Sequence, residues 1–287
     1  MGMVETVGLV LHPQRDSKVA IDAIVEWARD RGVTVLGLPD EVGRIDCSAV
    51  SVDAESLVER ADLLVSLGGD GTMLRTMRLI TGRSTPILGV NLGKLGFLAE
   101  IDVDDLPPAL SAIDNHHYTV EPRMAVRAPL PGTGMVTAFN DIALVRTPGD
   151  GLSAVAVAVA GHPFVRYAAD AVIVATSTGS TAYSFSAGGP IVSPTVEGFL
   201  VVPAAAHSAF NRAMVLSAEE EVTLELLPSS GRLAVEVDGA VAGHLSPGDR
   251  LTVTARRAAA WVVRLGGTTF YERARRKLRV NGSAEVE

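Results

Sequence analysis

Residues 62–80 read DLLVSLGGDGTMLRTMRLI, and this stretch decides the fold. Asp62 to Leu67 is an apolar run of strand length. Gly68, Gly69, Asp70 and Gly71 follow as a tight turn. From Thr72 to Ile80, the apolar Met73, Leu74, Met77 and Ile80 recur at helical spacing. A buried strand turning sharply into a helix is the unit from which helix-covered parallel sheets are built. The junction lies at the carboxyl end of the strand, where open α/β sheets bind ligands. Glycines let the backbone approach a ligand closely, and the start of a helix offers free amides to phosphate. Gly68, Gly69, Thr72 and Arg75 are therefore the phosphate-binding candidates. The pattern is not G-x-x-x-x-G-K-[ST], nor G-x-G-x-x-G, because Leu74 stands three residues after Gly71. Asp70 is the odd member. A carboxylate repels phosphate, so Asp70 takes a proton, holds a metal, hydrogen-bonds a sugar hydroxyl, or is simply a turn residue capping the helix.

The alternation extends in both directions. Thr6 to Leu11 (TVGLVL) reads as a strand. Ser17 is placed to cap a helix with Val19, Ala20, Ala23, Ile24 and Trp27 on one face, stopped by Gly32. Val33 to Leu38 is a second strand, Ala54 to Arg60 a short helix, Pro86 to Val90 a further strand and Asp104 to Asp114 a connecting helix. From about Tyr118 the period becomes two: Val155, Val157 and Val159 alternate with alanines, and residues 222–226 and 233–237 continue in that manner. Gly161-His162 and Asp238-Gly239 read as turns between strands. The expected fold is thus an N-terminal α/β domain with a parallel sheet, residues 1–117, and an all-β, sandwich-like domain, residues 118–267. A basic helical segment, 268–287, completes the first domain; its charges, Arg273, Arg275, Arg276 and Lys277, read as a solvated face or a binding face.

The 287 residues suit two domains at roughly 150 residues each. Lys plus Arg number 25 against 33 Asp plus Glu, a formal charge of -8, which argues against a nucleic-acid binder although a local basic patch survives that arithmetic. With 47% hydrophobic and 20% charged residues the chain can bury a full core. Cys47 is the one cysteine, so intrachain disulfides and cysteine-based zinc sites are excluded, and a lone thiol fits a reducing compartment. The opening runs directly into a strand-like stretch containing Glu5, so no cleaved leader is expected and a cytoplasmic location is. The longest uncharged run, Ala171 to Val196, holds nine Ser or Thr, three Gly and two Pro in 26 residues. A bilayer would leave those groups unpaired, so no membrane span is expected there. The run looks built to offer hydrogen-bond donors without cations.

Two further stretches carry chemistry. Asn91-Leu-Gly-Lys-Leu-Gly-Phe97 follows a strand on the same edge of the sheet; Lys94 is placed to meet an anion, and Phe97 either stacks on a base or belongs to the core. Asp170 to Pro194 has a strand feeding a Gly/Ser/Thr turn, a second donor-rich helix start. Ala175-x-Ser177-x-Gly179, with Asp238 and His244 following, also has the order of a degraded nucleophile elbow, without its first glycine. The six histidines lack paired metal spacing; His116, His117 and His162 read as surface or turn residues, and His207 is the one to watch.

Gly68 to Thr72, Asn91 to Leu98 and Thr178-Gly-Ser-Thr-Ala-Tyr-Ser-Phe-Ser-Ala-Gly-Gly-Pro190, in this order and spacing, resemble bacterial NAD kinases of actinobacterial type. The resemblance runs from the first strand to Arg273. GGDGT alone is shared with lipid and sugar kinases; its combination with TGSTAYSFSAGGP is specific. The resemblance implies phosphorylation of NAD at the 2′-hydroxyl of its adenosine ribose, from ATP or polyphosphate, with a divalent cation, expected as magnesium. It implies a site between the two domains, completed by a neighbouring subunit of a homodimer or homotetramer. Carried over, Asp70 is the general base. Gly71 and Phe97 line the NAD site, Asn140 meets the adenine side, Asp141 the ribose, and Asp170 comes from the partner. Thr181, Ala182, Tyr183 and Ser186 line the pocket with Ala204, Ala206 and Asp238. The chain departs from the family at Asp141, where glutamate is usual, at Ser177, where proline is usual, and at Ala205-Ala206, where a polar pair is often found. The alternatives are a dinucleotide sensor that has lost activity, a lipid kinase sharing GGDGT, and the serine hydrolase suggested by the elbow.

Overall fold

The computed structural model describes residues 4–45, 47–93, 96–151 and 153–280. The chain divides into two units, 1–122 with 260–287, and 123–259. The sequence boundaries at 117/118 and 267/268 lie a few residues away, inside or beside the long strands in which the chain passes between the units.

The first unit alternates as its periodicity predicts: β1 (Thr6–Leu11), α1 (Lys18–Arg31), β2 (Thr34–Gly37), α2 (Pro39–Val42), β3 (Val50–Ser51), α3 (Ala54–Arg60), β4 (Leu63–Gly68), α4 (Asp70–Leu79), β5 (Pro86–Asn91), β6 (Ile101–Asp102) and α5 (Leu106–Asp114). The strands form a parallel sheet in the order β5-β4-β1-β2-β3, with β6 beside β5. Both faces are covered, so β4 and β5 are buried along their whole length, as parallel strands under helices must be. The returning chain adds Trp261 and Val262 in parallel register against Pro86 and Ile87.

Helix α1 buries Ala20, Ile21, Ile24, Trp27 and Ala28. Val19, assigned by spacing to that face, is instead exposed, because Ile21 and Ala28 set the stripe one step round the helix. Ser17 stands at the N-cap, but its hydroxyl makes no capping bond and is buried. Gly32 ends the helix at φ 69, a left-handed conformation that suits glycine.

The second unit is antiparallel. Its strands are β7 (Thr119–Leu130), β8 (Gly134–Ala138), β9 (Asp141–Arg146), β10 (Ala154–Val159), β11 (His162–Ala168), β12 (Ala171–Thr176), β13 (Gly198–Ala204), β14 (Met214–Ser217), β15 (Glu221–Leu226), β16 (Leu233–Val237), β17 (Ala240–Leu245) and β18 (Arg250–Arg264). One layer runs β11-β10-β15-β18, with β7 beside β18 and β8 beside β7; the other runs β14-β13-β12-β9-β16-β17. Val126, Leu144, Val155, Val174, Val201, Leu224 and Val253 meet in one core cluster, drawn from the alternating residues of both layers, the arrangement of a sandwich. The other face of the six-stranded layer buries Ala143, Ile173, Ala175 and Leu200 against Tyr183, Ala187 and Val192. The hydroxyl-rich run therefore continues from β12 as a 3-10 turn (Thr178–Thr181) and α6 (Tyr183–Ser186) laid on that face, not as a span. Among the described residues, no helix is long and apolar enough to cross a membrane.

The turn between β10 and β11 is Ala160-Gly161, at φ 48 and 78, so His162 begins the strand rather than the turn. The tail forms α7 (Phe270–Lys277), begun by a capping box in which the side chains of Thr269 and Glu272 serve each other's amides.

Candidate active site

In the first unit the loops that follow β1, β4 and β5 gather at the carboxyl edge of the sheet. Gly68 has no room for a side chain: a Cβ there would overlap Thr72, which is buried at the start of α4. Gly69 is the N-cap and Asp70 the first helical residue. The Asp70 carboxylate does not cap its helix. It accepts the Phe97 amide at 3.0 and 3.1 Å and the Leu98 amide at 3.0 Å. Lys277, from α7, lies 3.1 Å from the same carboxylate. Gly96 is required by this contact, since a Cβ there would fall on the carboxylate.

Asn91 braces the loop carrying those amides. Its amide nitrogen donates to the Gly93 carbonyl at 2.9 Å and to Asp102 at 2.7 Å, and its oxygen accepts from Gly93 N–H at 3.2 Å. Phe97 is buried, with its ring 6.3 Å from that of Phe270 and the Lys277 ammonium 4.5 Å above it. Lys94 lies outside the described residues.

A cavity of about 430 Å³ opens here, lined by His12, Pro13, Arg15, Gly69, Asp70, Gly71, Thr72, Arg75 and Arg78. Arg75 is held in place by Glu41 at 2.6 Å and the Leu11 carbonyl at 2.6 Å, and Glu41 accepts the Leu11 amide at 2.5 Å. Burial, and then Arg15, Arg75 and Arg44, lower the His12 pKa and so favour its neutral ring. Its Nδ1 accepts the amides of Gln14 and Arg15, both at 3.1 Å. Sequence reading missed His12, Arg15 and Arg78. The signal was a local cation cluster, diluted in an acidic chain because its members come from a loop and a helix about 60 residues apart.

The basic tail is not simply a solvated face. Arg273 is 3% exposed and bonds Glu100 at 2.9 Å. Glu100 also holds Arg264 at 2.7 Å and accepts the Leu265 amide at 2.9 Å, and Arg264 reaches Glu121 at 2.7 Å. Removing one member of so buried a set leaves an uncompensated charge, at a cost of about 3–5 kcal/mol.

In the second unit Asp141 opens β9, and Asn140 stands just before it. Asp238 and Gly239, at φ 48 and 80, make the turn between β16 and β17. The Asp238 carboxylate accepts the amides of Asn140 at 2.7 Å, Phe139 at 3.3 Å and Asp141 at 3.4 Å. Asp141 is 3% exposed. Burial, then the charges of Asp238 and Glu236, push its pKa up to about 7, against a lowering hydrogen bond from the Tyr183 backbone. Burial, Glu236, Asp141 and Asp170 together raise the Tyr183 phenol.

Thr176 ties this pair to the hydroxyl-rich turn. Its hydroxyl donates to the Phe139 carbonyl at 2.5 Å and accepts the Gly179 amide at 2.9 Å. Gly179 lies against the Asn140 backbone so closely that a Cβ has no space. Thr181, Ala182 and Tyr183 follow half-buried, and Ser186 is exposed. Asp170 is exposed and pairs with Arg146 at 3.1 Å, while its amide donates to the Ala204 carbonyl at 2.9 Å. Ala206 is half-buried, and Ala205 between them has φ 50. His207 is exposed. The elbow reading finds no triad: Ser177 donates to the Pro194 carbonyl at 3.5 Å, Asp238 serves backbone amides, and His244 is exposed on β17.

Comparison with known proteins gives a consistent result. Residues 7–118 match the model of the ATP-NAD kinase N-terminal domain, and residues 139–265 that of the ATP-NAD kinase C-terminal domain. The chain is 38% identical to NAD kinase 1 of Streptomyces avermitilis, over 96% of this chain and 87% of that one. It is 37% identical to an NAD kinase of Moorella thermoacetica, over 98% and 92%. Among solved structures, yeast NADH kinase complexed with NADH aligns with a TM-score of 0.87 at 26% identity, covering 100% of this chain and 91% of that one. An NAD kinase from Archaeoglobus fulgidus in complex with ATP aligns with a TM-score of 0.75 at 28% identity, covering 96% and 100%.

Proposed function

The chain belongs to the ATP-NAD kinase family, and from that premise we infer which of its residues carry the phosphorylation of NAD to NADP. Asp70 is the general base. It takes the proton of the adenosine ribose 2′-hydroxyl as the oxygen attacks the terminal phosphorus of the donor. The observation that carries this reading is the environment of Asp70: its carboxylate is fixed by two loop amides and a lysine instead of capping its own helix. A base so held costs little reorganisation when the proton moves.

The donor is ATP, with inorganic polyphosphate as the alternative. Its phosphates take the cavity where Arg15, Arg75 and Arg78 meet the N-terminus of α4, supported by Gly68, Gly69 and Thr72. Among the described residues no group of three His, Cys, Asp or Glu could cage a metal. That fits a divalent cation, magnesium, arriving on the donor's own oxygens, which is where this ion usually sits with few protein ligands. It would supply charge to the phosphoryl group in flight.

Gly71 and Phe97 bound the NAD site in the first unit. In the second, Asn140 takes the adenine side, Asp141 the ribose, and Thr181, Ala182, Tyr183, Ser186, Ala204, Ala206 and Asp238 the rest of the dinucleotide. Asp170 serves the neighbouring subunit of a homodimer or homotetramer; its exposure, and the exposed Phe164, Val215 and Val241 of the same unit, support that. The enzyme acts in the cytoplasm. The experiment that tests the reading is incubation of purified protein with NAD, magnesium and either ATP or polyphosphate. NADP forms with at least one donor, and none forms once the cation is chelated.

A further inference from the structure

Asp70 offers four lone-pair positions on its two carboxylate oxygens. Oδ1 receives the amides of both Phe97 and Leu98 at 3.0 Å. Oδ2 receives Lys277 Nζ at 3.1 Å and a second, shared approach of the Phe97 amide at 3.1 Å. The lysine comes 207 residues later in the chain. It is held from below as well, its ammonium 4.5 Å over the Phe97 ring. The helix that delivers it is tied to the loop that delivers the amides: Arg273 bonds Glu100 and reaches the carbonyls of Phe97 at 3.5 Å and Glu100 at 3.3 Å.

We propose that Lys277 is a positioning residue for phosphoryl transfer, orienting Oδ2 of Asp70 as the oxygen that accepts the 2′-hydroxyl proton. The two amides occupy Oδ1 and set the plane of the carboxylate. The ammonium holds Oδ2, and the other approach to that oxygen is the shared branch of the Phe97 amide, which substrate can replace while the same amide keeps its bond to Oδ1. In turnover the 2′-oxygen forms its bond to the terminal phosphorus, the bond from that phosphorus to the donor's bridging oxygen breaks, and the proton passes to Oδ2 and then to solvent. Lys277 keeps its own proton throughout. The basic tail thus acts on the base, where the solvated-face reading gave it no task.

This inference rests on the reading of Asp70 as the base, and the experiment separates the two. Lys277→Met keeps the stem over Phe97 and removes only the ammonium; Lys277→Arg restores a donor. Both are compared with Asp70→Asn and with the Asp70→Asn/Lys277→Met double variant, with melting temperature confirming that folded proteins are compared. In Lys277→Met, kcat falls about 10- to 100-fold, the range that misplacement of a reacting group produces. The KM values for NAD and ATP move by less than about threefold, because the lysine acts on the transition state alone. Lys277→Arg recovers most of the rate. In the Asn background, removal of the ammonium costs less than about a further twofold, as expected of two residues acting as one unit. The proposal is overturned if Lys277→Met keeps kcat within about twofold, if the arginine variant is as slow as methionine, or if the two losses multiply. A faster Lys277→Met enzyme would also overturn it, the lysine then competing with substrate for Oδ2. Normal turnover by Asp70→Asn would instead remove the base assignment itself.

Discussion

The Asp238 carboxylate accepts the backbone amide of Asn140 at 2.7 Å, across 98 residues of chain. One side chain in the β16–β17 turn thereby fixes the backbone of the Asn140-Asp141 pair, and Asp238 N–H returns a bond to the Asp141 carbonyl at 3.0 Å. Asp238 thus acts on its neighbours' geometry whether or not it meets the nucleotide.

Replacing Asp238 by alanine removes the acceptor of Asn140 and sets an alanine at φ 48. An unsatisfied amide costs about 1–3 kcal/mol, and a left-handed alanine about 1–2 kcal/mol more. Asp238→Ala is therefore expected to lose about 2–5 kcal/mol in chemical denaturation. Asp238→Asn, which keeps an acceptor oxygen and tolerates positive φ, stays within about 1 kcal/mol of wild type. Equal losses in the two variants would show that the bond does not hold the pair.

Asp141 gives a pH dependence with a definite sign. Its pKa of about 7, raised by burial and then by Asp238 and Glu236, lies above the value of about 4 for an unfolded aspartate. The folded state therefore binds the extra proton. The contribution is fully present below about pH 4 and is lost as pH rises through about 7. The melting temperature of wild type minus that of Asp141→Asn should fall from pH 5 to 7 and level off by pH 8. A difference that stays constant from pH 5 to 8 would contradict this.

Gly96 offers a test of the Asp70 contact that removes no functional group. A methyl group there would fall on the carboxylate while its amide donors stay where they are. Gly96→Ala is expected to lower kcat at least about tenfold, since a displaced base loses its alignment, with little change in melting temperature. An active Gly96→Ala enzyme would show that the position of the carboxylate is not critical.

Arg15 lies in the cavity assigned to the donor, its guanidinium against Gly93. Arg15→Ala should raise KM for ATP about tenfold, equivalent to about 1.4 kcal/mol where KM tracks binding, while KM for NAD changes less than about twofold. A rise confined to NAD would move the donor elsewhere.

What the sequence made legible was local. The β4–α4 stretch carried its period and its glycines in nineteen consecutive residues, 62–80, so strand, turn and helix were all readable. The turn at Asp238-Gly239 was readable because only a few residue types accept positive φ at both positions. The partners of Asp70 were not. Phe97 and Leu98 donate through backbone amides, which leave no trace in residue type, and Lys277 arrives from the other end of the chain in a run whose charges look alike. Arg273 and Arg275 are both arginines of one helix, yet one is buried and the other exposed; the buried Glu100 decides that, from 173 residues away. Val19 was misplaced because an alternative stripe with nearly the same spacing packs better.

The role of Asp70 as the base is decided by the rate of NADP formation by Asp70→Asn, measured alongside its affinity for NAD. Asparagine nearly preserves the shape of the side chain and can still accept the Phe97 and Leu98 amides, but it cannot take a proton. Loss of a general base costs about 10²- to 10⁴-fold. The expected variant is folded, its NAD dissociation constant changes less than about threefold, and its turnover falls by at least about 10²-fold. A folded variant that binds NAD and keeps more than about a tenth of wild-type turnover would contradict it.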